Sequence, residues 1–263
     1  MSSEPHDLPP HPVLEGAAPG TSTAIADRIA SSISIGLLSV GERLPTEIEL
    51  AQQFGVAVAT LRKALAVLRE RELVVTRRGR SGGTFVVSAP FPVADDVERR
   101  IAGTSLVELR DLRDEYVAIG TAVAALAARR AWGESLRRLR DLAEQVVVPT
   151  EPSEIASADS RFHIELAVLS QSARLLRTEL RLQSEIGPLL WSVAEGTAAA
   201  SVVHEQHLAI IEALEAGDGE RAVSAVRAHL EHDILEIMDA KLSSDALAPA
   251  SASPSSSATA GAS

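Results

Sequence analysis

The first quarter of the chain shows helical periodicity separated by short breaks. A stripe of apolar residues at four-residue spacing predicts a first helix that ends near Gly41. The stripe consists of Ile25, Ile29, Ile33 and Leu37. The segment from Thr46 to Glu49 has the pattern of a capping box, in which each side chain bonds the other residue's amide, so it predicts the start of a short second helix. Gly55 suits the left-handed turn that ends such a helix.

A third helix and a β-hairpin follow. Leucines at helical spacing predict a helix over about 57–71. Two β-branched runs, at 74–76 and 84–87, then flank a basic, glycine-rich segment at 77–83. This pattern is typical of two short strands joined by a hairpin. After residue 87 the sequence shows helical periodicity only.

We divide the chain into two domains and two tails. Pro90 and Pro92 resist both helix and central strand, so we place the domain boundary there, with a first domain at 21–90 and a second, helical domain at 91–242. The ends are rich in Pro, Ala, Ser and Gly and have little apolar surface to bury. We therefore expect 1–20 and 243–263 to be disordered tails.

Composition argues against several classes of protein. The 263 residues include no cysteine, which excludes disulfides, thiolate metal sites and cysteine nucleophiles. No apolar run reaches the roughly 20 residues of a membrane helix, and the N-terminus lacks the pattern of a signal peptide. We therefore expect a cytoplasmic protein with no membrane partner. A P-loop, a GxGxxG motif and a lysine placed for a Schiff base are also missing, which argues against the commonest nucleotide- and pyridoxal-dependent enzymes.

Charge is distributed unevenly between the two domains. The whole chain has a net charge of −11, yet residues 21–90 carry nine Lys or Arg and six acids. The first domain is therefore mildly basic, at +3, and the rest of the chain is strongly acidic, at −14. A basic domain joined to an acidic one indicates two functions, of which the basic one suits nucleic acid.

The first domain has the pattern of a helix-turn-helix. Two helices on either side of the tight turn at Gly55 would let the second one enter the major groove of DNA, with the hairpin as a wing along the phosphates or the minor groove. The alternative is a solvated surface with ordinary charges. The predicted DNA-binding residues are Arg43, Thr60, Arg62, Lys63, Arg77, Arg78, Arg80 and Ser81.

Residues 24–88 resemble the N-terminal domain of the GntR family of bacterial regulators. The stretches that carry the resemblance are 41–47, 50–51, 54–56, 60–65 and 83–86. It implies a winged helix-turn-helix and a homodimer on double-stranded DNA with a short inverted repeat. Ile48 stands where family members typically have arginine, and 57–59 reads Ala-Val-Ala in place of Ser/Thr-Arg-Thr. We expect weaker DNA binding or an unusual operator, in which these apolar side chains touch thymine methyl groups.

The helical domain contains a candidate metal site. Five of the seven histidines lie between 163 and 232, and two predicted helices that meet at Gly217 would pack against each other. The candidate ligands are Asp159, His163, His207 and His229. Three imidazoles and a carboxylate inside a bundle would suit Zn²⁺, Ni²⁺ or a similar divalent ion. The alternative is ordinary polar residues on helices, since His204 and His232 lie only three residues from a candidate.

Residues from about 104 to 240 resemble the FCD-type ligand-binding domain of the FadR subfamily, an antiparallel helical bundle. The matching segments are 109–111, 125–131, 159–163, 207–210, 217–218 and 227–230. The resemblance implies that the four candidate ligands hold a divalent metal that helps to bind a carboxylate effector. Tyr116 occupies the position where many members have an arginine. The predicted ligand pocket consists of Tyr116, Arg113 and Trp191. Arg113 lies nearby in the sequence but should face elsewhere, and a core role is the alternative for Trp191.

The fold class predicted is mainly α, with an N-terminal winged helix-turn-helix and a C-terminal all-α antiparallel helical bundle. The function predicted is a DNA-binding transcription repressor, not an enzyme, whose operator binding a small carboxylate effector controls. One alternative is a metal-dependent enzyme fused to a DNA-binding domain, because three histidines and an aspartate can also activate water. Another is a structural DNA-binding dimer that responds to no small molecule.

Overall fold

The N-terminal domain consists of three helices and a two-stranded wing. The computed structural model describes residues 21–79, 82–88, 94–194 and 196–247. The elements of the N-terminal domain are α1 (Ser22–Ser34), α2 (Glu47–Gln53), α3 (Val58–Glu70), β1 (Val74–Arg77) and β2 (Gly83–Val86). The strands pair antiparallel, with Val74 opposite Val86 and Arg77 opposite Gly83. This arrangement confirms the predicted winged helix-turn-helix.

The capping box predicted for the second helix is present. The Thr46 amide donates to Glu49 Oε2 at 2.7 Å, and the Glu49 amide donates to Thr46 Oγ1 at 3.3 Å. Gly55 follows the helix with a φ of 62°, a conformation that favours glycine. These local bonds fix where α2 starts and ends, and they set the turn that leads into α3.

The first helix is shorter than its apolar stripe predicts. It ends at Ser34 because Gly36 adopts a φ of 71°, which leaves Leu37 outside the helix. A Cβ at Gly36 would lie 2.9 Å from the Cβ of Ser157 in the second domain. The stop in α1 is therefore set by close contact between the two domains as well as by local sequence.

The C-terminal domain is an all-helical bundle, as predicted. Its elements are α4 (Ala94–Gly103), α5 (Leu106–Arg130), α6 (Glu134–Glu144), a 3₁₀ turn (Gln145–Val147), α7 (Pro152–Leu169), α8 (Ala173–Val193), α9 (Gly196–Glu215) and α10 (Gly219–Leu247). The long helices α5 and α10 pack closely along each other, since Gly120 of α5 sits directly against Leu230. Trp191, Tyr116 and Phe162 are among the largest fully buried side chains of the chain. Among the described helices, none combines the length and apolar composition that crossing a bilayer requires.

The last helix continues past the predicted boundary at residue 242. It reaches Leu247, where the sequence analysis predicted a disordered tail from residue 243. Lys241 explains part of the extension, because its buried ammonium group donates to Asp245 one turn later and to the Ala102 carbonyl of α4. The predicted tails at 1–20 and 248–263 lie outside the described residues.

The two domains have separate hydrophobic cores and touch along α1 and α8. Ser157 of α7 adds a hydrogen bond across the contact, because its hydroxyl donates to the Ser34 carbonyl at 3.2 Å. Helices α7 and α8 therefore both pack against α1, so α8 lies between the N-terminal domain on one side and the interior of the bundle on the other.

Candidate metal centre and nucleic-acid interface

The four predicted metal ligands converge in the interior of the bundle. Asp159 and His163 lie one turn apart on α7, His207 lies on α9, and His229 lies on α10. One ligand atom from each can be chosen so that all lie within 4.8 Å of one another, and all four residues are buried. His207 Nε2 lies 3.3 Å and His163 Nε2 3.7 Å from Asp159 Oδ1, and the Nε2 atoms of His163 and His229 are 3.1 Å apart.

The two shorter separations, 3.1 and 3.3 Å, match those of atoms that share one divalent metal ion. Ligand atoms about 2.1 Å from a shared ion lie roughly 3.0–3.4 Å from one another in octahedral or tetrahedral geometry. Asp159 Oδ1 and both ring nitrogens of His207 are buried without a hydrogen-bond partner among the described residues. Buried polar atoms are normally satisfied, so unpaired atoms at the centre of a His–Asp cluster indicate that something else binds them. The donor set therefore fits the metal that the sequence analysis predicted.

The protonation state of the cluster also suits a metal. Burial lowers the pKa of His163 to about 4, and burial together with the neighbouring imidazoles lowers the pKa of His229 well below its usual range. Burial opposes ionisation of Asp159, but His207 and His163 beside it hold the pKa of this carboxyl low. At neutral pH the cluster therefore consists of one carboxylate and neutral imidazoles, the forms that coordinate a metal.

Neighbouring side chains turn two of the ligands toward the centre. The Trp191 indole donates from Nε1 to Asp159 Oδ2 at 3.0 Å, which leaves Oδ1 for an ion. His229 Nδ1 lies 2.7 Å from Oε1 of the Gln206 side-chain amide. This oxygen can only accept, so Nδ1 carries the proton and Nε2 keeps its lone pair. The Phe162 ring stacks on the His207 ring, with centroids 3.6 Å apart. Such contacts orient ligands and raise metal affinity.

A second layer of buried polar groups lies beside the cluster. The Tyr116 hydroxyl donates to Asp233 at 3.4 Å and accepts from the Gln183 amide at 3.2 Å. That amide also donates to Glu179 at 2.9 Å. Burial raises the pKa of Glu179 to about 7, and burial with the Asp159 charge raises the pKa of Asp233 well above its usual range. Glu179 Oε2 and Asp233 Oδ1 have no partner among the described groups.

Most of this layer was not predicted from the sequence. Tyr116, whose ring centroid lies 6.2 Å from that of His163, was a predicted pocket residue, whereas Glu179, Gln183 and Asp233 were not. A weak pattern was available, because Glu179 and Gln183 are four residues apart on α8 and Asp233 lies four residues after His229 on α10. One helical turn places each pair on the same face.

The other predicted pocket residues lie in different surroundings. Trp191 is buried against Asp159, so it lies beside the cluster. Arg113 lies near the surface and pairs with Asp114 at 2.9 Å. The structure does not bring Arg113 together with the four metal ligands. His204 and His232 also lie outside that set, and His204 bonds the Ala143 carbonyl at 3.0 Å.

The predicted DNA-binding residues that the structure describes lie on one domain and are mostly exposed. Arg62 and Lys63 project from the first half of α3, and Thr60 beside them is half-buried. Arg43 pairs through its backbone with Phe85 next to the wing, and Arg77 covers the Phe85 ring at 4.9 Å. Arg78 is exposed, whereas Arg80 and Ser81 lie outside the described residues. Arg62 also pairs with Glu47 at 2.7 Å, a contact that holds its guanidinium above α2.

A winged helix-turn-helix joined to an all-helical bundle with a buried polar centre is the architecture of a transcription regulator with a separate ligand-binding domain. Comparison with known proteins agrees. Residues 21–86 match the family described as bacterial regulatory proteins, gntR family, and residues 111–232 match the FCD domain. The chain belongs to the GntR family of transcriptional regulators, in the FadR subfamily that carries an FCD domain.

Individual relatives support this assignment. The HTH-type transcriptional regulator designated RmpR of Mycobacterium gastri is 47% identical over 90% of this chain and 86% of its own length. LutR of Bacillus subtilis, also an HTH-type transcriptional regulator, is 29% identical over 75% of this chain and 92% of its own. The solved structure of Escherichia coli McbR/YncC shares the fold, with a TM-score of 0.52 and 18% identity over 83% of this chain and 97% of that one. The relatives are regulators and not enzymes, so the enzyme alternative is not supported.

Proposed function

We propose that this protein is a repressor whose operator binding is controlled by a small molecule bound at a divalent metal in the helical domain. The observation that carries the proposal is the buried cluster of Asp159, His163, His207 and His229, in a chain that also contains a helix-turn-helix. DNA binding by the N-terminal domain does not require buried, unpaired ligand atoms in a second domain. A sensing role gives these atoms a function.

Zn²⁺ or Ni²⁺ is the ion that we propose for the cluster, because three imidazoles and one carboxylate are ligands that these borderline ions prefer. A bound ion would supply a Lewis-acid centre for one oxygen of a small carboxylate effector. Tyr116 and Gln183 would then orient the remainder of the effector, since a hydroxyl and an amide beside the cluster can each bond a polar group. Trp191 would keep Asp159 in position rather than contact the effector itself.

For DNA we propose contacts from two parts of the N-terminal domain. The first half of α3 would enter the major groove with Thr60, Arg62 and Lys63. Arg43 and the wing, with Arg77, Arg78, Arg80 and Ser81, would contact phosphates or the minor groove. Apolar residues at 57–59, at the start of α3, suit thymine methyl groups. The protein would act as a homodimer on an inverted repeat in the cytoplasm, where its DNA target is.

The experiment that tests this function measures operator affinity as a function of metal and small carboxylates. An operator is first selected from a pool of random DNA with the full-length, Zn²⁺-loaded protein. Fluorescence anisotropy at fixed salt then gives the Kd with lactate, malate or succinate as the probe, for both the Zn²⁺-loaded and the metal-free protein. We expect at least one probe to change the Kd tenfold or more, and only when Zn²⁺ is present, because the ion binds the carboxylate.

Three histidine variants complete the experiment. His207→Ala should lose bound Zn²⁺, as measured by elemental analysis, and the probe response with it. It should also lose the stabilisation that metal gives the native state, about 2.7 kcal/mol at a 100-fold excess over Kd. His204→Ala and His232→Ala should keep all three, since neither residue belongs to the cluster. An operator affinity that ignores every probe would support the structural-dimer alternative, and equal Zn²⁺ loss in His204→Ala would contradict the four-residue site.

A further inference from the structure

A cleft between the two domains is lined by three arginines. α1 of the DNA-binding domain contributes Arg28, and α8 of the helical domain contributes Arg177 and Arg181, which lie one turn apart on the same face. The cleft has a volume of about 370 Å³, which is enough for a small ligand. Ser31, Ser32 and Ser184 also line it. The hydroxyls of Ser32 and Ser184 donate to the Arg28 and Arg181 carbonyls of their own helices.

The wall of this cleft is basic, although the protein as a whole carries a net charge of −11. Burial lowers the pKa of Arg28, and the positive charge of Arg177 lowers it further. Arg181 pairs with Glu115 and, at 3.5 Å, with Glu185, but neither acid belongs to the cleft wall. Among the described residues that line the cleft, none is acidic.

We propose that this cleft binds a small polyanion, a molecule with at least two phosphate or carboxylate groups, between the two domains. Guanidinium groups bond both kinds of anion through paired N–H donors, and three of them from two domains line this one cleft. The cleft is separate from the metal centre, which is built on α7, α9 and α10. Because its arginines come from both domains, a ligand here would bridge the DNA-binding domain to the bundle.

The test uses full-length, metal-free protein, so that the probes cannot bind through a metal. Isothermal titration calorimetry at constant ionic strength would follow pyrophosphate as the phosphate probe and propane-1,2,3-tricarboxylate as the carboxylate probe. We expect saturable binding of one probe per chain. Arg28→Ser and Arg177→Ser should each weaken it at least tenfold, although the two residues belong to different domains. Whichever probe binds more tightly identifies the anion chemistry.

Arg174→Ser is the matched control, because Arg174 is exposed on the same helix, one turn before Arg177, and does not line the cleft. Its affinity should stay within twofold of that of the unmodified protein. Arg177 is exposed, so Arg177→Ser should fold normally. Its effect on probe binding therefore tests the proposal even if Arg28→Ser fails to fold. Absence of saturable binding would overturn the proposal. So would equal losses in Arg174→Ser and Arg177→Ser, or a loss confined to Arg62→Ala, which would place the anion on the DNA-binding surface.

Discussion

Two of the four candidate metal ligands are held by a neighbour on the side that faces away from the centre of the cluster. Asp159 accepts from Trp191 through one oxygen, and His229 bonds Gln206 through one nitrogen. Each contact fixes the ring or carboxylate and leaves the other atom for an ion. His207 has no such bond among the described groups and is held by packing against Phe162. The cluster is therefore positioned by single hydrogen bonds whose removal can be measured.

Trp191→Phe should weaken metal binding by about 10–100-fold, the usual effect of losing a bond to a metal ligand. The substitution keeps an aromatic ring in the core but removes the indole N–H that bonds Asp159. Competition between the protein and a chelator for Zn²⁺ gives the affinity. Trp132→Phe serves as the control, because Trp132 is 78% exposed and does not touch the cluster. An unchanged Zn²⁺ affinity in Trp191→Phe would show that the bond does not position the carboxylate.

The sequence predicted the members of the buried Asp–His cluster more completely than their surroundings. Asp159 and His163 share a face by spacing alone, whereas His207 and His229 were placed with them through the expected packing of two helices. The bond between Tyr116 and Asp233 joins residues 117 positions apart, and no local pattern encodes it. Which partner such a buried group finds depends on the rotation of packed helices, which a single sequence does not specify.

At the scale of elements, helical periodicity predicted the helices well, but contacts between elements set several of their ends. The third helix was expected over about 57–71 and runs from Val58 to Glu70. By contrast, α1 ends early at the contact with α7, and α10 continues because Lys241 ties it to α4. Local caps can be read from sequence, as Thr46 shows. Helix ends that depend on contact with another part of the chain cannot be read from the local sequence.

Gly120→Ala should destabilise the bundle by about 1–3 kcal/mol, because it forces a methyl group into a closely packed core. A Cβ at this position would lie 2.3 Å from Leu230 Cδ1 and 3.3 Å from Val226 Cγ1, and both side chains are themselves buried. Urea unfolding would measure the change. Gly103→Ala, at the end of α4, is the control, since no described residue lies within 4 Å of the place that its new methyl group would take. A Gly120→Ala protein as stable as the unmodified one would mean that α5 and α10 separate easily.

At the scale of the whole molecule, one basic and one acidic domain meet along α1 and α8. Each chain has one helix, α3, that is proposed to enter the major groove. An inverted repeat presents two half-sites related by a two-fold axis, so occupying both requires two chains. If the operator is an inverted repeat, as we propose, one chain provides half of the DNA-binding unit.

We expect the full-length protein to be a homodimer at micromolar concentration and to bind its operator as two chains per site. The helical domain should supply most of the interface. Multi-angle light scattering of the free protein and of its complex with a selected operator gives both masses. A free chain at about 27.7 kDa that also binds DNA as a single copy would contradict the inverted-repeat mode. The same measurement in high salt separates a dimer held by apolar contacts from charge-driven association.

The position of α8 constrains how this protein can change over evolutionary time. Glu179 and Gln183 belong to the buried layer beside the metal centre, whereas Arg177 and Arg181 face the DNA-binding domain. If both proposed sites are functional, these four residues of one helix are under two different selective pressures. A lineage that acquires a new effector through substitutions in α8 should also show compensating substitutions in α1, because a small rotation of the helix moves both of its faces at once.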